Sequence, residues 1–79
     1  MILNVFGSSS SGNCYILHNS EEAVIIEAGV RPSTAMYRCF ENDFTRIEGL
    51  FVSHHHADHA GFARMWSEAG VPVYTIEDV

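Results

Sequence analysis

The sequence contains no lysine, and its positive charge comes from four arginines set against ten aspartates and glutamates. The resulting net charge of −6 argues against broad adhesion to nucleic acid or to an anionic membrane. Apolar runs are short, well below the roughly 18 to 20 residues that a membrane-spanning helix needs. Because no basic residue precedes the apolar N-terminal stretch, a signal peptide is not predicted and the cytoplasm is the expected location.

Cysteine is also scarce. Cys14 and Cys39 stand alone, without a C-x-x-C pair. In a cytoplasmic protein this predicts reduced, packed thiols in place of a disulfide. The composition, 47% hydrophobic and 18% charged, is that of a globular protein, and 79 residues are enough for at most one small domain.

The apolar segments predict an α/β layered fold with the element order β-β-β-α-β-α-β. Loop residues are predicted over 7–13, and Pro32 is expected at the first position of the first helix. Strands are predicted at 2–6, 14–18, 23–26, 47–52 and 71–76, and helices at about 32–44 and 60–69.

The third predicted strand, 23–26, is apolar on both faces, which is typical of a strand covered on both sides. Two helices cannot cover five strands twice. We therefore expect residues 1–79 to form a partial domain, the first part of a larger one.

Residues 53–59 concentrate the chemistry of the chain, because they read Ser-His-His-His-Ala-Asp-His. Imidazole nitrogen and carboxylate oxygen are the ligands that zinc and similar divalent ions take. Residues two apart on an extended segment point the same way, so His54 and His56 can converge on one ion. Asp58 and His59 can face a second point nearby, and His55 is predicted to be a spacer. A solvated polar loop or a purification-tag remnant is the alternative, but tags are terminal runs.

Two further patterns have structural explanations. Residues 7–12 have the G-x-x-x-x-G spacing of a phosphate-binding loop, but Asn13 stands where the lysine is required. This segment either borders the metal cleft and offers backbone N–H groups to an anion, or is a plain hairpin loop. Three apolar residues at helical spacing are predicted to be core residues, namely Phe62, Met65 and Trp66.

The segment S-H-H-H-A-D-H-A-G, which starts at Ser53, resembles the signature of the metallo-β-lactamase fold superfamily, T-H-x-H-x-D-H-x-x-G or a near variant. The N-terminal half agrees, with G-S-S-S-S-G-N-C-Y from Gly7 and I-I-E-A-G from Ile25. The chain is similar to the small bacterial single-domain branch, whose members include DNA exonucleases and phosphodiesterases. The resemblance implies the N-terminal half of an αββα sandwich.

By that resemblance His54 and His56 are ligands of a first metal ion, and Asp58 and His59 are ligands of a second. Asp58 would also orient or deprotonate the attacking water, which makes it the implied catalytic residue. Redox diiron members of the superfamily carry Glu at the position of His56, so a histidine there favours hydrolysis.

The sequence also departs from the family pattern. No histidine follows His59, and the only later aspartate is Asp78, whereas family members draw two further histidines and a bridging aspartate from their later part. The chain therefore offers two ligands per metal, below the three that a catalytic zinc site expects. Glu27 stands where the family usually has Asp, which affects how the ligands are oriented.

Together these features predict a metal-dependent hydrolase of phosphodiesters, with nucleic acid as one such substrate, that is inactive as the 79-residue chain alone. Zinc is the expected metal, and manganese or iron would also suit the donors. A truncated, non-catalytic metal-binding module and a thioester or lactone hydrolase of the same fold are the alternatives. No membrane partner is expected, and either self-association or a complementing C-terminal half would cover the open face.

Overall fold

The structure is a computed structural model that describes residues 1–53 and 60–75. Within these two ranges, five strands form one sheet, and two short α-helices and a 3₁₀ turn connect them, in the order predicted from the sequence. No helix in these ranges is long and apolar enough to cross a membrane. The elements are β1 (Ile2–Ser9), β2 (Gly12–His18), β3 (Ala23–Ile26), α1 (Thr34–Arg38), the 3₁₀ turn (Phe44–Arg46), β4 (Ile47–Val52), α2 (Ala63–Glu68) and β5 (Val73–Thr75).

The strands lie in the sheet in their chain order, β1-β2-β3-β4-β5. The first three pair antiparallel, whereas β3, β4 and β5 run parallel. Parallel strands bring their carboxyl ends to one edge of the sheet, which is where α/β folds place their binding sites. The residues that follow Ile26 and Val52 therefore leave the sheet at the same edge.

The first hairpin differs from the prediction. The loop predicted over 7–13 is wrong, because the ladder continues to the pair Ser9↔Gly12 after a register shift just before Gly7. The physical reason is close backbone packing. A Cβ on Gly12 would lie 2.5 Å from the carbonyl oxygen of Gly29. The glycines thus serve tight packing within a bulged hairpin, not a flexible loop.

The first helix is shorter than the predicted 32–44. Ser33 is its N-cap and accepts a hydrogen bond from the backbone of the first turn, so Pro32 lies outside the helix and its predicted position is wrong. Glu41 and Asn42 have φ of 56° and 59°, in the left-handed region, and this ends the helical path. The chain then turns through the 3₁₀ segment into β4.

The second helix occupies six residues of the predicted 60–69. Its C-cap is Ala69, and Gly70 follows with a φ of 95°. Trp66 is buried, which confirms it as a core residue, and Phe62 is half-buried. Met65 is exposed, so its predicted place in the core is wrong. It lies on the side of α2 that faces away from the sheet.

The core lies between the helices and one face of the sheet. Trp66 packs edge-on against Phe40, with ring centroids 6.2 Å apart, and both side chains are buried. Both cysteines are free, and Cys14 belongs to this core. The largest fully buried side chains are Trp66, Phe40, Ile16, Ile25, Met36, Leu50, Val52 and Cys14.

The opposite face of the sheet is apolar and open. Leu3 and Val5 are both 56% exposed, Ile26 is 38% exposed and Tyr74 is 50% exposed. The strand register places these residues on one face, together with Phe51, whose ring stacks on Tyr74 at 5.0 Å. Within residues 1–53 and 60–75 no helix covers this face, so β3 is covered on one side only. That is the pattern of one half of a sandwich.

Candidate metal-binding site

The carboxyl ends of β3 and β4 lie side by side, since Ile26 pairs with Phe51 in the parallel ladder. Glu27 is the first residue after β3, and Ser53 is the first residue after β4. Ser53 also immediately precedes the histidine segment 54–59. The predicted metal ligands therefore follow directly in sequence from the carboxyl edge of the sheet, where α/β folds place their binding sites.

Glu27 and Ser53 are joined by two hydrogen bonds. The Ser53 backbone N–H donates to Oε1 of Glu27 at 2.8 Å, and the Ser53 hydroxyl donates to Oε2. Glu27 is only 6% exposed, and hydrogen bonds to a buried carboxylate are among the stronger ones in proteins. The carboxylate thus fixes both the backbone and the side chain of the residue that leads into the segment.

The backbone of Glu27 is itself strained. Its φ of 67° lies in the left-handed region, which residues other than glycine rarely adopt. The Glu27 N–H donates to the Phe51 carbonyl at 2.9 Å, and this bond holds the residue against β4. Strain of this kind persists where surrounding contacts determine it, and such positions cluster at functional sites.

The loop after β3 also holds the far side of the histidine segment. The Phe62 N–H donates to the Ala28 carbonyl at 2.7 Å, and the Gly29 N–H donates to the Asn13 carbonyl at 2.8 Å. Glu27 therefore anchors Ser53 before the segment, and its neighbour Ala28 anchors Phe62 shortly after it. Two consecutive residues of one loop hold both flanks of the predicted metal-binding segment.

The predicted ligands His54, His56, Asp58 and His59 lie outside the described residues, as does His55. Elsewhere in the described chain, no group of three or more His, Cys, Asp or Glu side chains is arranged to hold a metal ion. The sequence had signalled Glu27 through the family resemblance. The roles of Ser53 and of the Ala28–Phe62 bond were missed, and a backbone bond of that kind carries no signal in the sequence.

Cys14 lies near this region, and its thiol is fully buried. Burial raises the pKa of its thiol from 9.0 to about 12, and the negative charges of ionised Cys39 and Glu27 add to the effect. The thiol is therefore protonated at neutral pH, whereas a thiol must lose its proton to ligate a metal or act as a nucleophile. Cys14 is a core residue.

With this geometry established, comparison with known proteins identifies the class of protein. A family model described as the metallo-beta-lactamase superfamily matches residues 8–79, so the chain belongs to that superfamily. Among curated proteins it is similar to an exodeoxyribonuclease, YycJ, of Bacillus anthracis. The two are 27% identical over 77 residues, which cover 94% of this chain and 29% of that protein. The chain thus spans less than a third of the relative's length.

Members of the superfamily generally bind divalent metals, usually zinc. Residues 54–59 contain four imidazoles and one carboxylate, and these are the donors that zinc takes. The fold, the anchoring by Glu27 and Ala28, and the family all point to the same edge of the sheet. The chain is therefore part of a metal-dependent hydrolase family.

Proposed function

We propose that this chain forms the first metal-binding part of a hydrolase that cleaves phosphodiesters, with a nuclease-like action. The observation that carries the proposal is the anchoring of both flanks of the histidine segment, by Glu27 on Ser53 and by Ala28 on Phe62. A segment held at both ends can present its side chains in a fixed arrangement, as metal coordination requires. The nuclease name of the similar protein supports the choice of substrate class.

In this proposal His54 and His56 hold one ion, and Asp58 and His59 hold a second. Divalent ions held there would make a water more acidic and would stabilise the charge that develops on the oxygens of an ester. Asp58 would orient the attacking water and accept its proton. Glu27 is a positioning residue, since it touches Ser53 and acts on the ligands through the backbone that follows. Zinc is the proposed metal, and manganese or iron would suit the same donors.

The number of ligands limits what the chain does alone. Four side chains shared between two ions give two for each, fewer than the three that catalytic zinc sites draw from protein. We therefore propose that residues 1–79 are a partial domain without turnover, and that further ligands come from a complementing half or a second copy. Because two ligands for each ion are too few for catalysis, a non-catalytic metal-binding module is the second candidate function. The free thiols of Cys14 and Cys39 suit a reducing cytoplasm.

A zinc titration tests the site. The metal-free chain is titrated with Zn²⁺ in competition with a chromophoric chelator, beside the variants His56→Ala and His18→Ala. We expect His56→Ala to weaken zinc binding by at least about tenfold, because it removes a ligand. His18 is the matched control, since it lies in β2 and its Nε2 is hydrogen-bonded to Asn4. Equal affinity in the unaltered chain and His56→Ala would refute the site.

Hydrolysis is assayed on the same samples with bis-p-nitrophenyl phosphate. The chain alone is expected to give no metal-dependent turnover. Turnover that is lost in His56→Ala would show that the chain is catalytically complete, against the proposal. Zinc binding without turnover, in the presence of a complementing half as well, would favour the non-catalytic module.

A further inference from the structure

A second concave site lies at the end of the sheet opposite Glu27 and Ser53. It is formed where β1 begins, where β2 ends, and where the chain leaves α1 and enters β4. Its volume is about 490 Å³, within the range of about 300 to 1,000 Å³ that small-molecule sites occupy. We call it the basal cleft, and its polar lining includes His18, Ser20, Arg38, Cys39, Glu41 and Arg46.

The basal cleft concentrates the scarce positive charge of the chain. Two of the four arginines, Arg38 and Arg46, line it, together with the one histidine outside the 54–59 segment. Glu41 is the one acidic residue in the lining. In a chain with a net charge of −6, this places two guanidinium groups in one concave region, and a guanidinium there that has no carboxylate partner can attract a small anion.

Arg46 lines the cleft, but its positive charge is already paired with two carboxylates. Its Nη1 donates to the Ser20 carbonyl at 2.8 Å, and Nη2 lies 3.1 Å from the Glu41 carboxylate. Nε lies 3.7 Å from Asp43, whose pKa is lowered mainly by hydrogen bonds from Thr45 and further by Arg46 itself. These contacts fix the guanidinium in place, so Arg46 shapes the site without supplying free charge.

Arg38 has the opposite character. It lies in the last turn of α1 and is exposed, and within residues 1–53 and 60–75 its guanidinium forms neither a hydrogen bond nor an ion pair. A guanidinium presents a planar fork of donors that matches two oxygens of a phosphate. Arg38 is therefore the charge in the cleft that is available to a ligand.

His18 is held in a defined orientation beside it. Its Nε2 lies 2.6 Å from Oδ1 of Asn4, and because an amide oxygen only accepts, Nε2 carries the proton. The same Asn4 oxygen accepts a weak hydrogen bond from Cys39 Sγ at 3.7 Å.

We propose that the basal cleft binds a small phosphate-bearing anion, with Arg38 as its main ligand and His18 as a second. Compact phosphates suit the cleft better than a nucleic acid strand. A volume of about 490 Å³ fits a small molecule, whereas the net negative charge of the chain repels a polyanion. The cleft is separate from Glu27 and Ser53, because it lies at the opposite end of the strands.

Calorimetric titration with inorganic phosphate and with pyrophosphate tests the site, on protein stripped of metal and at constant ionic strength. Removing metal prevents phosphate from binding through zinc. We expect saturable binding to the unaltered chain that is weakened by about tenfold or more in Arg38→Gln. Arg64→Gln is the matched control, since Arg64 is exposed on α2 and pairs with Glu68 at 3.2 Å. It makes the same change of charge outside the cleft and is expected to leave affinity unchanged.

Cys39 provides a second readout because it lines the cleft and is only half-buried, whereas Cys14 is fully buried. Burial raises the pKa of the Cys39 thiol, so alkylation is followed at mildly alkaline pH. Pyrophosphate should slow this alkylation in the unaltered chain and not in Arg38→Gln. Absence of saturable binding, or equal weakening in the Arg38 and Arg64 variants, would overturn the proposal. Matching circular dichroism spectra would show that all variants are folded.

Discussion

The strongest stability prediction concerns the buried carboxylate of Glu27. Glu27→Ala removes the acceptor of two hydrogen bonds from Ser53 and leaves a half-buried N–H without that partner. Hydrogen bonds to charged groups contribute about 1.5–3 kcal/mol each. Burial of the carboxylate opposes folding, so we expect a net loss of about 2–4 kcal/mol. A chain of this length has a total stability of about 4–12 kcal/mol, so the expected loss is a large fraction of it.

Two companion variants separate the contributions. Glu27→Gly also removes the carboxylate but allows the φ of 67° without strain, so it should be about 1–2 kcal/mol more stable than Glu27→Ala. Glu27→Gln keeps the length and one acceptor oxygen, so its loss should be smaller, about 1–2 kcal/mol. Urea unfolding measures all three, with the fluorescence of Trp66, the single buried tryptophan, as the signal.

The same variants connect stability to the site. Because Ser53 precedes the first predicted ligand, His54, loss of its anchor should lower zinc affinity by about 10–100-fold. Stability of Glu27→Ala within about 0.5 kcal/mol of the unaltered chain would refute the energetic argument. An alanine variant as stable as the glycine variant would refute the strain at this position.

Two further predictions concern the core and the first hairpin. Because burial raises the pKa of Cys14 from 9.0 to about 12, the unfolded chain loses this proton first as the pH rises above 9. Cys14 should then lower the unfolding free energy by about 1.4 kcal/mol per pH unit up to pH 12. Urea unfolding at pH 8 and 10.5 should show a smaller fall in Cys14→Ala than in the unaltered chain, and Cys39, whose pKa burial also raises, contributes to the fall in both. Gly12→Ala places a Cβ 2.5 Å from the Gly29 carbonyl oxygen and should destabilise by about 1–3 kcal/mol. Thermal unfolding compares it with Ser10→Ala in the exposed turn, and equal midpoints would contradict the close-packing argument.

The inner strands could be predicted from the sequence, and the first hairpin could not. The strands at 23–26 and 47–52 have the predicted bounds, because short continuous apolar runs identify buried parallel strands. The segment 7–13 has the composition of a loop. Its pairing as a strand depends on the close packing of Gly29 against Gly12. These residues are far apart in the sequence, so a local pattern does not predict their contact.

The first helix was overpredicted for a different reason. Tyr37, Phe40 and Phe44 form one aromatic cluster, with centroids of Tyr37 and Phe44 5.3 Å apart, so their spacing does indicate a shared face. A helix followed by a 3₁₀ turn keeps this face as well as one long helix does. The long helix and the interrupted one differ at Glu41 and Asn42, which have left-handed backbone conformations. Neither residue is a glycine, so the sequence does not indicate that the helix ends before them.

The candidate site shows the same division between side-chain chemistry and backbone geometry. Four donors in six residues predict metal binding from composition alone, because their chemistry is local. The residues that flank these donors are held by hydrogen bonds to a distant part of the chain. The bonds Glu27–Ser53 and Ala28–Phe62 join residues 26 and 34 positions apart in the chain. Sequence reasoning therefore predicted which side chains would bind a metal, and the fold shows how their flanks are held.

The open apolar face and the small number of metal ligands have one structural explanation. Ile26 lies on the open face and is followed directly by Glu27, while Phe51 on the same face is two residues before Ser53. A second sheet packed there, at the usual spacing of about 10 Å, would end beside the histidine segment. Under the proposed function, a polypeptide that covered the face would thereby also be placed to complete the coordination of two ions. Covering the apolar surface and supplying the remaining ligands are then a single event, so folding of the full sandwich and assembly of the metal site should be coupled.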